Sequence, residues 1–189
     1  KNLKAVLDKI LTDPRWDLKF IGMQIIIEGL ALAAFQMLKQ LSKDPLLTQL
    51  LHYVIRDEAR HVTFGINYLE DFVKTLTDEE REERAEFAFE ACVISRERVI
   101  NTRAMQKYLK MSEDEAREFT LQTSANNTFR NFLFSRVIPN LSRIGLLTDN
   151  VRPKFDELGL LEFEHAPDDF ECDWNELEKP LENFDEISA

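Results

Sequence analysis

A single charged residue, Glu28, interrupts an otherwise uncharged segment between Lys19 and Lys39. At three, four and seven positions from Glu28, where side chains share its face of a helix, every residue except Gln24 is apolar. A carboxylate in such a helix is expected to be buried, and a buried carboxylate requires a cation, a proton or a metal ion. The segment predicts a core helix over residues 14 to 41, with one residue at its centre, Glu28, whose charge is unfavourable to bury.

A second long helix is predicted over residues 45 to 75, because Asp44 and Pro45 provide an N-cap and a first helical residue. The connection between the two helices is only about three residues long, so they must be antiparallel neighbours. Glu28 lies 16 residues before Asp44 and Glu58 lies 14 residues after it. Both glutamates are therefore about 20 to 25 Å from the turn, at the same level.

Glu58 and His61 are three residues apart in Ile55-Arg56-Asp57-Glu58-Ala59-Arg60-His61. On a helix they point the same way, about 4.5 Å apart along the axis, so that one metal ion can bind both. Their helical face is otherwise apolar. The sequence thus predicts a metal site that is built from Glu28, Glu58 and His61.

Two observations limit this prediction. Glu28 could instead pair with an arginine such as Arg60 or Arg103, with His61 as a core histidine. The same spacing also recurs at Glu162 and His165, in an acidic stretch without helical periodicity, where we interpret it as a coincidence.

The remaining pattern predicts an all-α fold with short loops. Further helices are expected over residues 3–11, 77–109 and 115–137, with Pro139 ending or kinking the last of them, and short helices over 141–147 and 151–158. We expect residues 1–158 to form one helical domain and residues 159–189 to form an irregular acidic tail that is packed on it by its aromatic side chains Phe163, Phe170, Trp174 and Phe184.

Charge is distributed very unevenly along the chain. The formal net charge is −11, and residues 156–189 alone contribute −12 because they hold 13 acidic residues against Lys179. This distribution argues against binding to nucleic acid. No signal peptide or disulfide pattern is present, and the apolar segment around Glu28 is interrupted by polar residues, so we expect a cytoplasmic protein that does not span a membrane.

Glu28 in an apolar helix, followed about thirty residues later by Asp57-Glu58-Ala59-Arg60-His61, resembles the second half of the ferritin-like di-iron carboxylate superfamily. That group includes the small subunit of ribonucleotide reductase and its ligand-binding oxidase relatives, arylamine N-oxygenases, aldehyde-deformylating oxygenases and acyl desaturases. The resemblance covers about residues 14 to 75. It implies a ferritin-like antiparallel helical bundle with extra C-terminal helices.

The resemblance also implies residue roles. Glu28 would be a bridging or terminal carboxylate ligand, Glu58 the bridging carboxylate, and His61 the nitrogen ligand of one iron. Asp57 would accept a hydrogen bond from a histidine on the opposite helix pair and fix its tautomer. The expected cofactor is two iron ions, or one manganese and one iron, and the expected partners are O2, a small substrate, an electron donor and a second copy of the chain.

The chain carries only half of such a site, since the complete site uses a Glu from each of two helices and a Glu-x-x-His from each of the other two. We expect the first helix pair to lie upstream, because the numbering begins with Lys1 rather than Met. Symmetric pairing of two chains, or a degenerate site, are the alternatives. Arylamine N-oxygenases carry an extra histidine where this chain has Val54, and His52 is on a different face.

The resemblance predicts an O2-activating di-iron oxygenase or oxidase that acts on a small apolar substrate. Iron suits carboxylate and imidazole ligands in both of its common oxidation states. Phe35, Val62, Gly65 and Leu69 are candidate pocket residues, and Gly65 is expected to leave space one turn beyond His61. Two alternatives stay open: a ferritin-like iron store, which the nearly neutral body of the chain disfavours, and a non-catalytic helical module.

Overall fold

The computed structural model describes residues 2–98, 102–122 and 124–169. Within these ranges the protein is all-α and contains no β-strand, as predicted. The elements are α1 (Asn2–Thr12), α2 (Trp16–Leu41), α3 (Pro45–Val73), α4 (Asp78–Arg98), α5 (Thr102–Leu109), α6 (Glu113–Gln122), α7 (Ser124–Phe132), α8 (Val137–Arg143), α9 (Arg152–Glu157) and a 3-10 turn, Leu161–Phe163.

Helices α2 and α3 form the antiparallel pair that the short connection predicts. The Asp44 side chain accepts a hydrogen bond from the backbone N–H of Leu47 at 3.1 Å, and Pro45 is the first helical residue. Apolar side chains from the two helices form one core with α4 and α8. Its fully buried members in α2 and α3 include Ile25, Leu32, Val62, Ile66 and Leu69.

The centre of α2 is not an ordinary α-helix. Residues Ile21–Glu28 are π-helical, whereas Trp16–Phe20 and Gly29–Leu41 are α-helical. A π segment has i→i+5 hydrogen bonds and a wider turn, so the α-helical wheel used for the sequence misplaces the residues before Glu28. This π segment is eight residues long and ends at Glu28; such segments are rare and frequently lie at functional sites.

Some predicted helix boundaries were wrong. The second helix begins at Trp16 rather than at residue 14, because Asp13 accepts a hydrogen bond from the N–H of Arg15 and the backbone of Arg15 is extended. The helix predicted over 77–109 corresponds to α4 and α5, and the helix predicted over 115–137 corresponds to α6 and α7 and ends at Phe132 rather than at residue 137. Residues 99–101 and 123 lie outside the described ranges.

Pro139 neither ends nor kinks the preceding helix. It occupies the first turn of α8, where an N–H group has no partner within the helix and proline is tolerated. Ser112 and Glu115 form a capping box at the start of α6: the backbone N–H of each residue donates a hydrogen bond to the side chain of the other.

The chain that follows α9 packs on the helices at least as far as Asp169. Gly159 ends α9 with a positive φ of 68°, and the side chain of Leu160 is fully buried. Asp169 is buried and accepts hydrogen bonds from Arg136 and Asn140, while its carbonyl oxygen accepts one from Thr63 of α3. Phe163 packs against the core. The predicted anchors Phe170, Trp174 and Phe184 lie outside the described residues.

Among the described residues, α2 alone is long and apolar enough to cross a membrane when judged by length and composition. Of its most apolar stretch, 44% is buried inside the protein. A buried core helix of this kind passes the same test, so the helix gives little information about a membrane.

Candidate metal centre

Glu28, Glu58 and His61 meet where α2 and α3 run side by side. One ligand-type atom from each residue lies within 4.8 Å of those of the other two. Nδ1 of His61 lies 3.3 Å from Oε2 of Glu58, which is long for a hydrogen bond. The equal distances from the turn therefore place the two glutamates together, as the sequence predicts.

The three side chains differ in their exposure to solvent. Glu28 is half-buried and the Glu58 side chain is 29% exposed, but the His61 side chain is 61% exposed. The alternative of a core histidine is therefore wrong for His61, because its ring lies at the edge of the apolar face and not within it. The cluster forms a border between the core and the surface of the α2–α3 pair.

The carboxylate of Glu28 has the least favourable environment of the three side chains. Its Oε2 atom is buried and has no hydrogen-bond partner among the residues that the structure describes. Burial, and secondly the negative charge of Glu58, raise the pKa of Glu28, while His61 lowers it. The charges that shift the pKa of Glu28 belong to Glu58 and His61, and no described arginine is among them.

These residues fit a bound transition metal. Two carboxylates and one imidazole form a donor set that suits iron or manganese. Ligand atoms on opposite sides of a first-row metal lie about 4.2 Å apart, because each bond is about 2.1 Å long. The three ligand atoms lie within 4.8 Å of one another, close to that size, and a metal would supply the missing partner of Glu28.

The predicted supporting residue Asp57 lies on the exposed side of α3. Its Oδ1 atom is 3.3 Å from Arg60 and 3.4 Å from Arg56, so the described contacts of this carboxylate are with neighbours on its own helix. Its assignment as the partner of a histidine on another helix pair stays a prediction. His52 is buried and contacts Lys39, on a different face from His61.

The predicted pocket residues are part of the core. Val62 and Leu69 are fully buried, and Phe35 packs partly buried against the same cluster. The space expected beside Gly65 is filled by Gln24: a Cβ atom at position 65 would lie 2.6 Å from the Cβ of Gln24. The prediction of a cavity at Gly65 was wrong, because the glycine serves close packing of two helices.

Gln24 is the functional candidate that the sequence reasoning missed. It precedes Glu28 by one turn of the π segment and packs against Gly65, which lies one turn from His61. Its Oε1 atom is buried and lacks a hydrogen-bond partner in the described part of the chain. The signal was present in the sequence, since Gln24 is the one polar exception on the apolar face of Glu28.

Gly65→Ala should destabilise the protein by about 1–3 kcal/mol, because the new methyl group would press against the root of the Gln24 side chain, which cannot rotate away. Gly29→Ala is the matched control. There a Cβ would lie 3.2 Å from the end of the Val137 side chain, and the better helix propensity of alanine offsets the contact. Urea unfolding measures both, and equal effects of the two substitutions would contradict the packing described.

Glu28→Gln should stabilise the metal-free protein at neutral pH. Because the pKa of Glu28 is raised above its ordinary value of 4.5, the folded state holds this proton more tightly than the unfolded state. The free energy of unfolding of the wild type should therefore fall as the pH rises from 4.5 through the raised value, and the amide should remove this fall. Urea unfolding over that pH range tests it; parallel curves for the two proteins would show the expectation to be wrong.

A stripe of exposed apolar side chains runs along α3 on both sides of His61. Phe64 and Tyr68 are 50% and 56% exposed, and Leu46, Leu50 and Tyr53 continue the stripe in steps of three or four residues. Large exposed apolar patches usually mark interaction surfaces. The edge of the cluster therefore faces a surface suited to contact with further protein.

Two other acidic features are separate from the cluster. Glu162 and His165 belong to the turn region after α9, and Glu162 accepts a hydrogen bond from Asn131. An open cleft of about 840 Å³ at the start of α4 has an acidic lining that includes Glu79, Glu83 and Glu86, and none of the three cluster residues lines it.

Comparison of the chain with protein-family models, with curated proteins and with solved structures finds no match. The class that fold and site define is thus an all-α protein in which two antiparallel helices bring a carboxylate pair and an imidazole together.

Proposed function

We propose that the protein is an O2-activating non-haem di-iron oxidoreductase that acts on a small, apolar organic substrate. The observation that supports this proposal most is the meeting of Glu28, Glu58 and His61 from two antiparallel helices, with a buried oxygen of Glu28 left without a partner. A buried carboxylate with no counter-ion is costly in a folded protein, and a metal ion removes that cost.

Glu28 and Glu58 would hold the metal through oxygen and His61 through nitrogen. Iron held by these residues would supply the electrons for the reduction of O2. Glu28 must lose its proton before it can bind a metal, so iron binding to this chain should release protons and weaken as the pH falls. Gln24, beside Glu28 and Gly65, would present a polar amide at the inner end of the cluster.

The three residues do not complete a di-iron site, which uses six protein ligands in a four-helix arrangement. We propose that a further helix pair supplies the rest and that the exposed stripe of α3 is where it packs. This agrees with the favoured expectation of an upstream pair, and a second copy of the chain stays the alternative. The ferritin-like topology, the cytoplasmic location, the electron donor and the expected homodimer are parts of the same proposal.

The exposed stripe and the unpartnered Oε2 atom of Glu28 support this proposal over a non-catalytic module. The apolar substrate class rests on the resemblance, since the side chains first chosen as its pocket belong to the core.

The test is anaerobic loading of the protein with Fe(II), followed by exposure to O2 with a chemical reductant and a panel of small apolar substrates. An oxidoreductase should hold about two irons per complete site and consume O2 repeatedly in proportion to product. A ferritin-like store should consume O2 once per iron and accumulate far more ferric iron. If no iron binds, both functions are excluded.

A further inference from the structure

Arg130 of α7 has a charged side chain that is almost completely removed from solvent. Its exposed fraction is 1%, and among the described residues its one hydrogen bond is long: Nη1 donates to Oδ1 of Asn127 at 3.3 Å. The Nε and Nη2 atoms are buried and have no hydrogen-bond partner among the described residues. An arginine stays protonated at any physiological pH, so this is a buried positive charge with unused donors.

The two unused atoms of Arg130 are not an arbitrary pair. Nε and Nη2 form one edge of the planar guanidinium group, and their N–H bonds point in parallel. This edge matches two oxygens of a carboxylate or a phosphate, and it is the geometry in which arginine binds such groups most strongly. The whole edge of Arg130 is unused.

The charged neighbours of Arg130 increase the need for an anion. Arg96 of α4 and Arg117 of α6 both lower the pKa of Arg130, after the larger effect of burial, and Glu97 raises it. Glu97 already pairs with Arg117 at 2.5 Å, and the Nε atom of Arg96 is itself buried without a partner in the described chain. Arg117 is thus paired with Glu97, whereas Arg96 and Arg130 both keep buried donors without a partner among the described residues.

We propose that the free edge of Arg130, together with Arg96, is a binding site for a phosphate group, either inorganic phosphate or the terminal phosphate of a small metabolite. A phosphate carries a charge of about −1.5 to −2 at neutral pH, which matches the positive charges of Arg96 and Arg130 together. A single carboxylate would balance only one of them. The site is built by α4, α6 and α7 and uses none of the proposed metal ligands.

Equilibrium dialysis with labelled inorganic phosphate tests the site directly. We expect saturable binding of about one phosphate per chain, and Arg130→Met should weaken it about a hundredfold because the variant lacks both donors and the charge. Arg130→Lys keeps the charge but not the parallel donors, and it should weaken binding about tenfold. Arg103→Met, at an exposed arginine of α5, is the matched control and should leave binding unchanged.

Thermal unfolding at constant ionic strength provides the second measurement. Phosphate should raise the Tm of the wild type by about 5 °C at a hundredfold excess over its Kd, and acetate should have a much smaller effect. If Arg130→Met does not fold, Arg130→Lys carries the comparison. Glu58→Ala should keep full phosphate binding, which separates this site from the proposed iron site.

Three results would overturn the inference: no saturable phosphate binding by the wild type, unchanged binding in both Arg130 variants, or acetate as effective as phosphate. The last result would mean that the site selects carboxylates instead. A fourth result, release of the bound phosphate by a modest concentration of salt, would also overturn the inference, because it would show only general charge attraction.

Discussion

Asp17→Ala should destabilise the protein by about 3 kcal/mol, because it leaves Arg84 as a buried charge without its main partner. The Asp17 and Arg84 side chains are 3% and 7% exposed, and Oδ2 accepts a hydrogen bond from Nε at 2.8 Å. The effect should be at the low end of the range for buried pairs, since Arg84 also contacts Glu83. Urea unfolding measures the change in the free energy of unfolding.

Two comparisons make the Asp17 prediction specific. Asp78 and Arg81 form an ion pair of similar geometry in which the Asp78 side chain is 91% exposed. Asp78→Ala should therefore lower the free energy of unfolding by less than about 1 kcal/mol. The double variant Asp17→Leu with Arg84→Met replaces the buried pair by apolar groups and should recover most of the stability. A loss below 1 kcal/mol for Asp17→Ala would contradict a buried pair that joins α2 to α4.

Glu58→Ala and His61→Ala should each reduce iron affinity more than about a hundredfold, because loss of an outer hydrogen-bond partner alone costs 10- to 100-fold at metal sites. Both residues lie at the border of the core, so the far-ultraviolet circular dichroism and the Tm of the metal-free variants should stay close to those of the wild type. Anaerobic Fe(II) dialysis with elemental analysis measures the affinity.

The chain provides its own matched control for these variants. Glu162 and His165 have the same Glu-x-x-His spacing, in the turn region after α9. Glu162→Ala and His165→Ala should leave iron binding unchanged. An equal loss of iron affinity in the variants of both motifs would mean that iron binds to exposed acidic and imidazole groups in general. Unchanged iron affinity in all four variants would mean that Glu58 and His61 are not iron ligands.

The pairing of α2 with α3 was predictable because it depends on local signals. Asp44 and Pro45 fix the start of α3, and a three-residue connection allows only antiparallel packing. Once the two helices are antiparallel, the equal distances of Glu28 and Glu58 from the turn bring them together. The all-α class follows from the same periodicity.

The π-helical segment was not predictable, since hydrogen bonds between residues five apart depend on packing around α2 and not on its composition. The prediction of a space beside Gly65 was wrong for a related reason. A glycine on an apolar face either leaves a space or allows a neighbouring helix to approach closely. Only the position of Gln24 on α2 decides between these two outcomes.

The exposure of His61 to solvent could not be predicted from the sequence either. Its position relative to Glu58 places it beside an apolar face, but the burial of that edge depends on what packs against α3. The tertiary placement of Arg130 is similar: an isolated arginine in α7 gives no sign of burial, which results from the arrangement of α4, α6 and α7 around it.

The most direct test of the central claim is the transition-metal content of the protein, measured by elemental analysis after purification without chelators and compared with a Glu58→Ala, His61→Ala double variant. The proposal predicts stoichiometric iron, or iron with manganese, that approaches two ions per complete site and is lost in the double variant. Transition-metal content that is no higher in the wild type than in the double variant would contradict it, and Glu28, Glu58 and His61 would then be a polar cluster without a metal.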